Sequence, residues 1–235
     1  MTDRPILFSA PMVRALLAGT KTQTRRLIDF KGIDEVMDFV KVATDPQGRP
    51  VYEMKGRAGQ HIAIPAGKHL VGYNWSPRIG VGDRLWVRES FRGSKGYNNY
   101  PPRTWSHWPV HYEADGAPDP HDELEENGRL RPGIHMPRWA SRLTLTVTDV
   151  RIERLQDISE DDAKAEGAIP YHCAASKLDY YGPGHAMCGQ DHRAGFCQIW
   201  EQINGIDSWN ANPFVVAYTF SVHYGNIDQI AKAEG

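Results

Sequence analysis

Apolar positions along the chain recur at two spacings, and each spacing predicts a different element. Val13, Leu16 and Leu17 follow Ser9 and Pro11 at helical intervals. This predicts a short helix with Ser9 as N-cap, a proline in its first turn and Gly19 as the glycine just past its end. The next residues, through Thr20, Thr22, Thr24, Leu27 and Ile28, turn β-branched and alternating, so a strand is predicted from Lys21 onward. Leu85-Trp86-Val87-Arg88-Glu89 follows the turn Val81-Gly82-Asp83-Arg84 and reads as a strand. Leu85, Val87 and Glu89 fall on one face, Trp86 and Arg88 on the other. A charged pair ending so apolar a strand marks a pocket. Leu143, Leu145 and Val147 alternate with Thr144, Thr146 and Thr148 and continue through Ile152, which predicts a central barrel strand. Ser159 to Gly167 predicts a short helix with Ser159 as N-cap, acids in its first turn and Glu166 in its last, where the helix dipole disfavours a negative charge. A helix through Phe196, Ile199, Trp200 and Ile203, stopped at Asn204-Gly205, and a strand over Pro213 to Val222 complete the pattern.

Three stretches, at about 31-79, 93-133 and 169-193, lack sustained periodicity and read as insertions. Within the first, Val36, Phe39, Val40 and Val42 fit a short helix or a strand, and Asp45 to Pro50 is a turn. Within the second, Val110 to Glu113 reads as a short strand. The tail, 225-235, is polar and expected to be loose. The whole is an α+β chain, expected as a single domain over 1-224 with short helices flanking a β-barrel. Its 235 residues, with 22 Gly, 16 Pro, 7 Trp and 10 Tyr, suit short elements and many turns.

Charge narrows the partners. Lys and Arg number 27 against 29 Asp and Glu, a formal net charge of -2. That balance argues against a protein that lives on a duplex phosphate backbone, although Lys21, Arg25 and Arg26 form a local cluster able to hold one nucleotide. No apolar run is long enough to span a bilayer, and Met1 to Pro5 lacks a secretory pattern, so a cytoplasmic location and no membrane partner are expected. Cys173, Cys188 and Cys197 are too few and too crowded for a disulfide framework. With His172, His185 and His192 they offer zinc-type donors, but no Cys-x-x-Cys pair occurs. Loosely packed His and Cys is the alternative, and no metal is assigned.

Lys21 and Thr24 stand three residues apart where a helix gives way to a strand. A threonine hydroxyl needs a base beside it to become a nucleophile, and a lysine can be that base when burial and neighbouring cations such as Arg25 and Arg26 lower its pKa. Cleaving an amide also requires a proton donor for the leaving nitrogen, and Glu166 suits that role. Arg26 or Arg88 could hold a developing oxyanion or a pyrimidine carbonyl. On residue types alone, a Lys-Thr-x-Thr-Arg-Arg strip also fits a solvated strand.

Gly19-x-Lys21-x-x-Thr24-x-Arg26 after a short helix resembles the signature motif of the ASCH domain, a member of the PUA-like barrel superfamily. Thr24 stands where that family often has an acid, and this variant resembles the small bacterial N4-acetylcytidine amidohydrolases. Gly82 to Glu89 and Leu155 to Gly167 are similar to the family's second strand and later helix. Pro5 to Ser9, His135 to Arg142 and Ser208 to Pro213 resemble the larger ASCH proteins of bacteriophages and prophages. The resemblance implies Lys21 as base, Thr24 as nucleophile and Glu166 as proton donor. It implies a hydrolase that removes an acyl group from the N4 amine of cytidine or a related modified pyrimidine nucleoside, without a cofactor. Arg26, Arg88, Glu89, Trp86, His135 and Trp139 are the expected substrate-binding residues; Tyr112 could also stack on a base. Two other readings remain open: a single-stranded RNA-binding module, and an ASCH-type ribonuclease with Lys21 on the scissile phosphate.

Overall fold

The computed structural model describes every residue except 29–35, 47, 62–64, 67–68, 71–73, 106–108, 117–127, 171–190 and 234–235. In chain order the elements are β1 (Asp3–Leu7), α1 (Ala10–Leu17), β2 (Gln23–Leu27), β3 (Asp38–Thr44), β4 (Pro50–Lys55), β5 (Pro65–Ala66), β6 (His69–Leu70) and β7 (Asn74–Trp75). There follow β8 (Arg84–Arg88), β9 (Phe91–Arg92), β10 (His111–Tyr112), β11 (Leu143–Arg154), α2 (Glu160–Ala165), α3 (His192–Asn204), β12 (Phe214–Tyr224) and α4 (Ile227–Ala233). The class is α+β, built on a five-stranded mixed sheet of order β1-β8-β11-β12-β2. The chain divides into two compact units. The first comprises residues 1–22, 82–147 and 220–235, the second 23–81 and 148–219.

In the first unit, β1 runs parallel to β8, with Pro5 facing Trp86 in the register. A proline cannot donate to a ladder and is tolerated at a sheet margin; β1 is the terminal strand of its sheet, and its sequence carries no strand signal. β8 is an interior strand, antiparallel to β11 on its other side. Leu85, Trp86 and Val87 are therefore all buried, and neither face of the strand is open. Helix α1 buries Val13 and Leu16 and ends as the glycine pattern predicts. Gly19, at φ +70°, donates to the Leu16 carbonyl, and Thr20 donates to the Ala15 carbonyl. These are the two bonds of a Schellman motif.

The described part of the second insertion packs with its flanking residues into a small core. Phe91, Trp105, Met136 and Ala140 are buried together, with Tyr97, Val110, Tyr112 and Trp139 against them. The strand expected over Val110 to Glu113 is only His111–Tyr112, because Glu113–Asp115 winds into a 3-10 turn. The tail is not loose over 226–233, which is a correction. Asn226 Nδ2 donates to the carbonyls of Arg138, Trp139 and Ser141, α4 follows, Ile227 is wholly buried, and Asp228 pairs with Arg138 at 2.6 Å. One apolar residue in a polar segment produces no periodic stripe, so the sequence pattern is silent there.

In the second unit, the segment around Phe39 and Val40 resolves as strand, not helix. β3 pairs antiparallel with β4, and β4 with β7. The expected turn between β3 and β4 is closed by Asp45, which accepts from the Arg49 backbone N–H at 2.9 Å. Helix α2 is capped by Ser159, which accepts from the Asp162 N–H. It ends in a second Schellman motif: Gly167, at φ +81°, donates to Lys164, and Ala168 donates to Ala163. Glu166 is its C-cap residue. Against α2 and α3 the unit buries Leu155, Ile158, Ala163, Ala168, Phe196, Cys197, Trp200, Trp209 and Val215.

Candidate active site

The predicted chemistry in the second unit is built on β2. Its register with β12 sets Thr24 opposite Tyr218, Arg25 opposite Ala217 and Arg26 opposite Val216. Successive side chains of a strand point to opposite faces, and directly opposed residues share one. Thr24, Arg26 and Tyr218 therefore lie on one face, and Gln23 and Arg25 on the other. Thr24 is 2% exposed and Tyr218 5%. A nearly dry hydroxyl and phenol thus share a face with a half-buried guanidinium. Burial lowers the pKa of Arg26, against the opposing attraction of Glu166 and Tyr218; it remains a cation at neutral pH.

Glu166 is 5% exposed. Its Oε1 accepts from Arg25 Nη1 at 3.2 Å. Arg25, expected as a neighbouring cation of Lys21, is engaged by carboxylates. Its side chain is fully buried and meets three carboxylates: Glu153 at 2.6 Å, Asp162 at 3.2 Å and Glu166 at 3.2 Å. Arg151 braces the same cluster, reaching Glu153 at 2.8 Å and Asp162 at 2.6 Å, and Gln23 Nε2 donates to Asp162 at 2.8 Å. Burial alone would raise the pKa of the Asp162 carboxyl, but the bond from Gln23 and the charges of Arg151 and Arg25 hold it below its ordinary value. Sequence reasoning missed Glu153, Asp162, Arg151 and Gln23. The one available signal was the alternation that sets Gln23 and Arg25 on a common face.

The remaining candidates belong to the first unit. Lys21 is wholly buried, its ammonium 5.6 Å from the centre of the Phe8 ring, and its backbone N–H donates to the Ala15 carbonyl just after the Schellman glycine. Trp86 is a core residue, with the Arg88 guanidinium 5.3 Å from its ring centre. Arg88 Nε donates to the Gly133 carbonyl at 3.0 Å, and burial lowers its pKa.

Glu89 is buried in a two-point pair with Arg142, at 2.9 and 3.0 Å, while Arg142 also meets Asp115 and stacks 4.0 Å from the Tyr112 ring centre. Burial pushes the Glu89 carboxyl up, against the pull of Arg142. This pair braces the aromatic core. His135 is exposed on a 3-10 turn, and Trp139 is half-buried against the Phe91 cluster. Of the histidines and cysteines considered for zinc, His172, Cys173, His185 and Cys188 lie outside the described residues. Among the described residues no group of three metal-type donors occurs.

Comparison of the chain with family models, curated proteins and solved structures finds no match. The chemistry of the site therefore rests on its own residues.

Proposed function

We propose that the protein is an ASCH-type hydrolase of PUA-like architecture that removes an acyl group from the exocyclic N4 amine of cytidine or a related modified pyrimidine nucleoside. The observation that carries this reading is the face shared by buried Thr24 and Tyr218 with half-buried Arg26, on which the charge of Glu166 acts. The motif spacing of Lys21 and Thr24 supplies the base. Lys21 takes the proton of Thr24 Oγ1 as that oxygen attacks the acyl carbonyl, and Arg26 faces the charge that develops on the carbonyl oxygen. Collapse breaks the carbon–nitrogen bond, and Glu166 gives its proton to the departing N4. In the second half, water adds to the acyl-threonine and its proton returns to Glu166. Thr24 oxygen then leaves, taking its proton back from Lys21. Both groups are regenerated.

The test is incubation with N4-acylated cytosine, cytidine and deoxycytidine, following the ultraviolet change on deacylation. The wild type is expected to deacylate at least one, and Thr24→Ala and Lys21→Ala to lower kcat/KM by at least roughly a thousandfold. A wild type inert on the whole panel sinks the proposal, as do variants of full activity. Inertness coupled with tight, salt-sensitive binding of single-stranded RNA would point instead to an RNA-binding module.

A further inference from the structure

We infer that Arg25 is the positioning residue for Glu166 in the proposed reaction, and this inference rests on that reading. Asp162 and Glu166 are four residues apart and so lie on one face of α2, where two like charges repel. Arg25 spans them with the two terminal nitrogens of one guanidinium, Nη2 on Asp162 and Nη1 on Glu166, each at 3.2 Å. A planar fork makes this two-point contact; a lysine ammonium carries the same charge from a single nitrogen.

The clamp is itself held. Glu153 from β11 takes Nε of Arg25 at 2.7 Å, Gln23 accepts from Nη1, and the Phe196 ring of α3 lies 5.8 Å from the guanidinium carbon. Helix α2 has only six residues, too short to be stable alone. The place of its C-cap residue therefore depends on this docking onto β2. Arg25 thus joins Glu166 to Asp162 of its own helix and to Glu153 of β11, and Arg151 of β11 holds Asp162 from the other side.

The experiment compares Arg25→Lys with the wild type on two substrates: N4-acetylcytidine, whose amine must be protonated as it leaves, and 4-nitrophenyl acetate, whose phenolate leaves without help. For the amide, kcat is expected to fall by about ten- to a hundredfold, with KM within about twofold. For the ester, the first-turnover burst of 4-nitrophenolate, which needs no proton from Glu166 and precedes the hydrolysis of the acyl-threonine, is expected to keep its rate within about threefold. A role in general folding lowers both rates together, and that result overturns the inference, as does an amide rate equal to the wild type. Should Arg25→Lys fail to fold, Asp162→Asn removes the other arm of the clamp, and the same split between substrates is expected at smaller size. A wild type inert on both substrates overturns the proposed function and this inference with it. Wild-type activity without the split overturns the inference alone.

Discussion

Arg25 Nη1 lies 3.2 Å from Glu166 Oε1, with the arginine side chain fully buried and the glutamate side chain 3% exposed. Deleting one member of such a group leaves the others charged in a dry environment, at a cost of about 3–5 kcal/mol. Arg25→Met is expected to lower the free energy of unfolding by that amount, read as a fall in urea midpoint at constant m. Adding Glu166→Gln to Arg25→Met should recover part of the loss, because one stranded carboxylate is then gone. A loss below about 1 kcal/mol would mean that water reaches the cluster and compensates it.

Gly195 lies inside α3, where alanine is normally favoured over glycine by about 1 kcal/mol. Here a Cβ would run into the backbone carbonyl of Ile169. Gly195→Ala is therefore expected to destabilise, against its helix propensity. Gly19→Ala is the control. Its Cβ would meet open space, so its cost is limited to holding an L-residue at φ +70°, about 1–2 kcal/mol. Thermal melting of the two variants should show the larger drop for Gly195→Ala.

Two carboxyl groups of α2 give the fold a definite acid sensitivity. The backbone N–H of His192 first, then the His192 ring and the Arg193 N–H, hold Glu160 below its ordinary value. Asp162 is likewise depressed, its buried site outweighed by Gln23, Arg151 and Arg25. A carboxyl depressed in the folded state contributes its stability fully above its unfolded pKa, and that contribution is lost as pH falls through the folded value. The urea midpoint should thus be steady near pH 6 and fall below about pH 4. Asp162→Asn should lower the midpoint at pH 6 and flatten the acid slope; an unchanged slope would assign the acid loss to other groups.

Burial, with a smaller push from Glu201, raises the Cys197 thiol to about 12. Thiolate is the reactive form, so roughly a thousandfold less of it is present than in an exposed cysteine. Iodoacetamide labelling of the native protein, mapped by mass spectrometry, should leave Cys197 unmodified until denaturant is added. Rapid native labelling at that position would show that α3 opens locally.

The parts of this fold legible in the sequence are those fixed by neighbours a few residues away. Ser9 with Gly19, and Ser159 with Gly167, bound α1 and α2 because caps are local chemistry. Strand β11 is legible from its alternation and β12 from its apolar run. β1 was hidden by Pro5, and α4 by having Ile227 as its wholly buried anchor. The role of Arg25 was hidden for a different reason. Its carboxylate partners lie 128, 137 and 141 residues further along the chain. No local pattern reports such pairings, and a buried arginine reads in sequence like any charged strand residue. Lys21 and Thr24 could be named from motif spacing and Glu166 from its place at the end of a predicted helix, whereas the ion cluster that holds Glu166 could not.

The two glycine-ended helices also set how this chain can vary in length. Glu166 is fixed at a given angle around the α2 axis because the number of residues between Ser159 and Gly167 is fixed. One inserted residue would rotate it by about 100° and advance it by about 1.5 Å, carrying it off Arg25 altogether. The same holds for α1 and the exit toward Lys21. Loops elsewhere can lengthen or shorten at little cost, but these two short helices behave as spacers whose residue count is as constrained as the identity of the side chains they present.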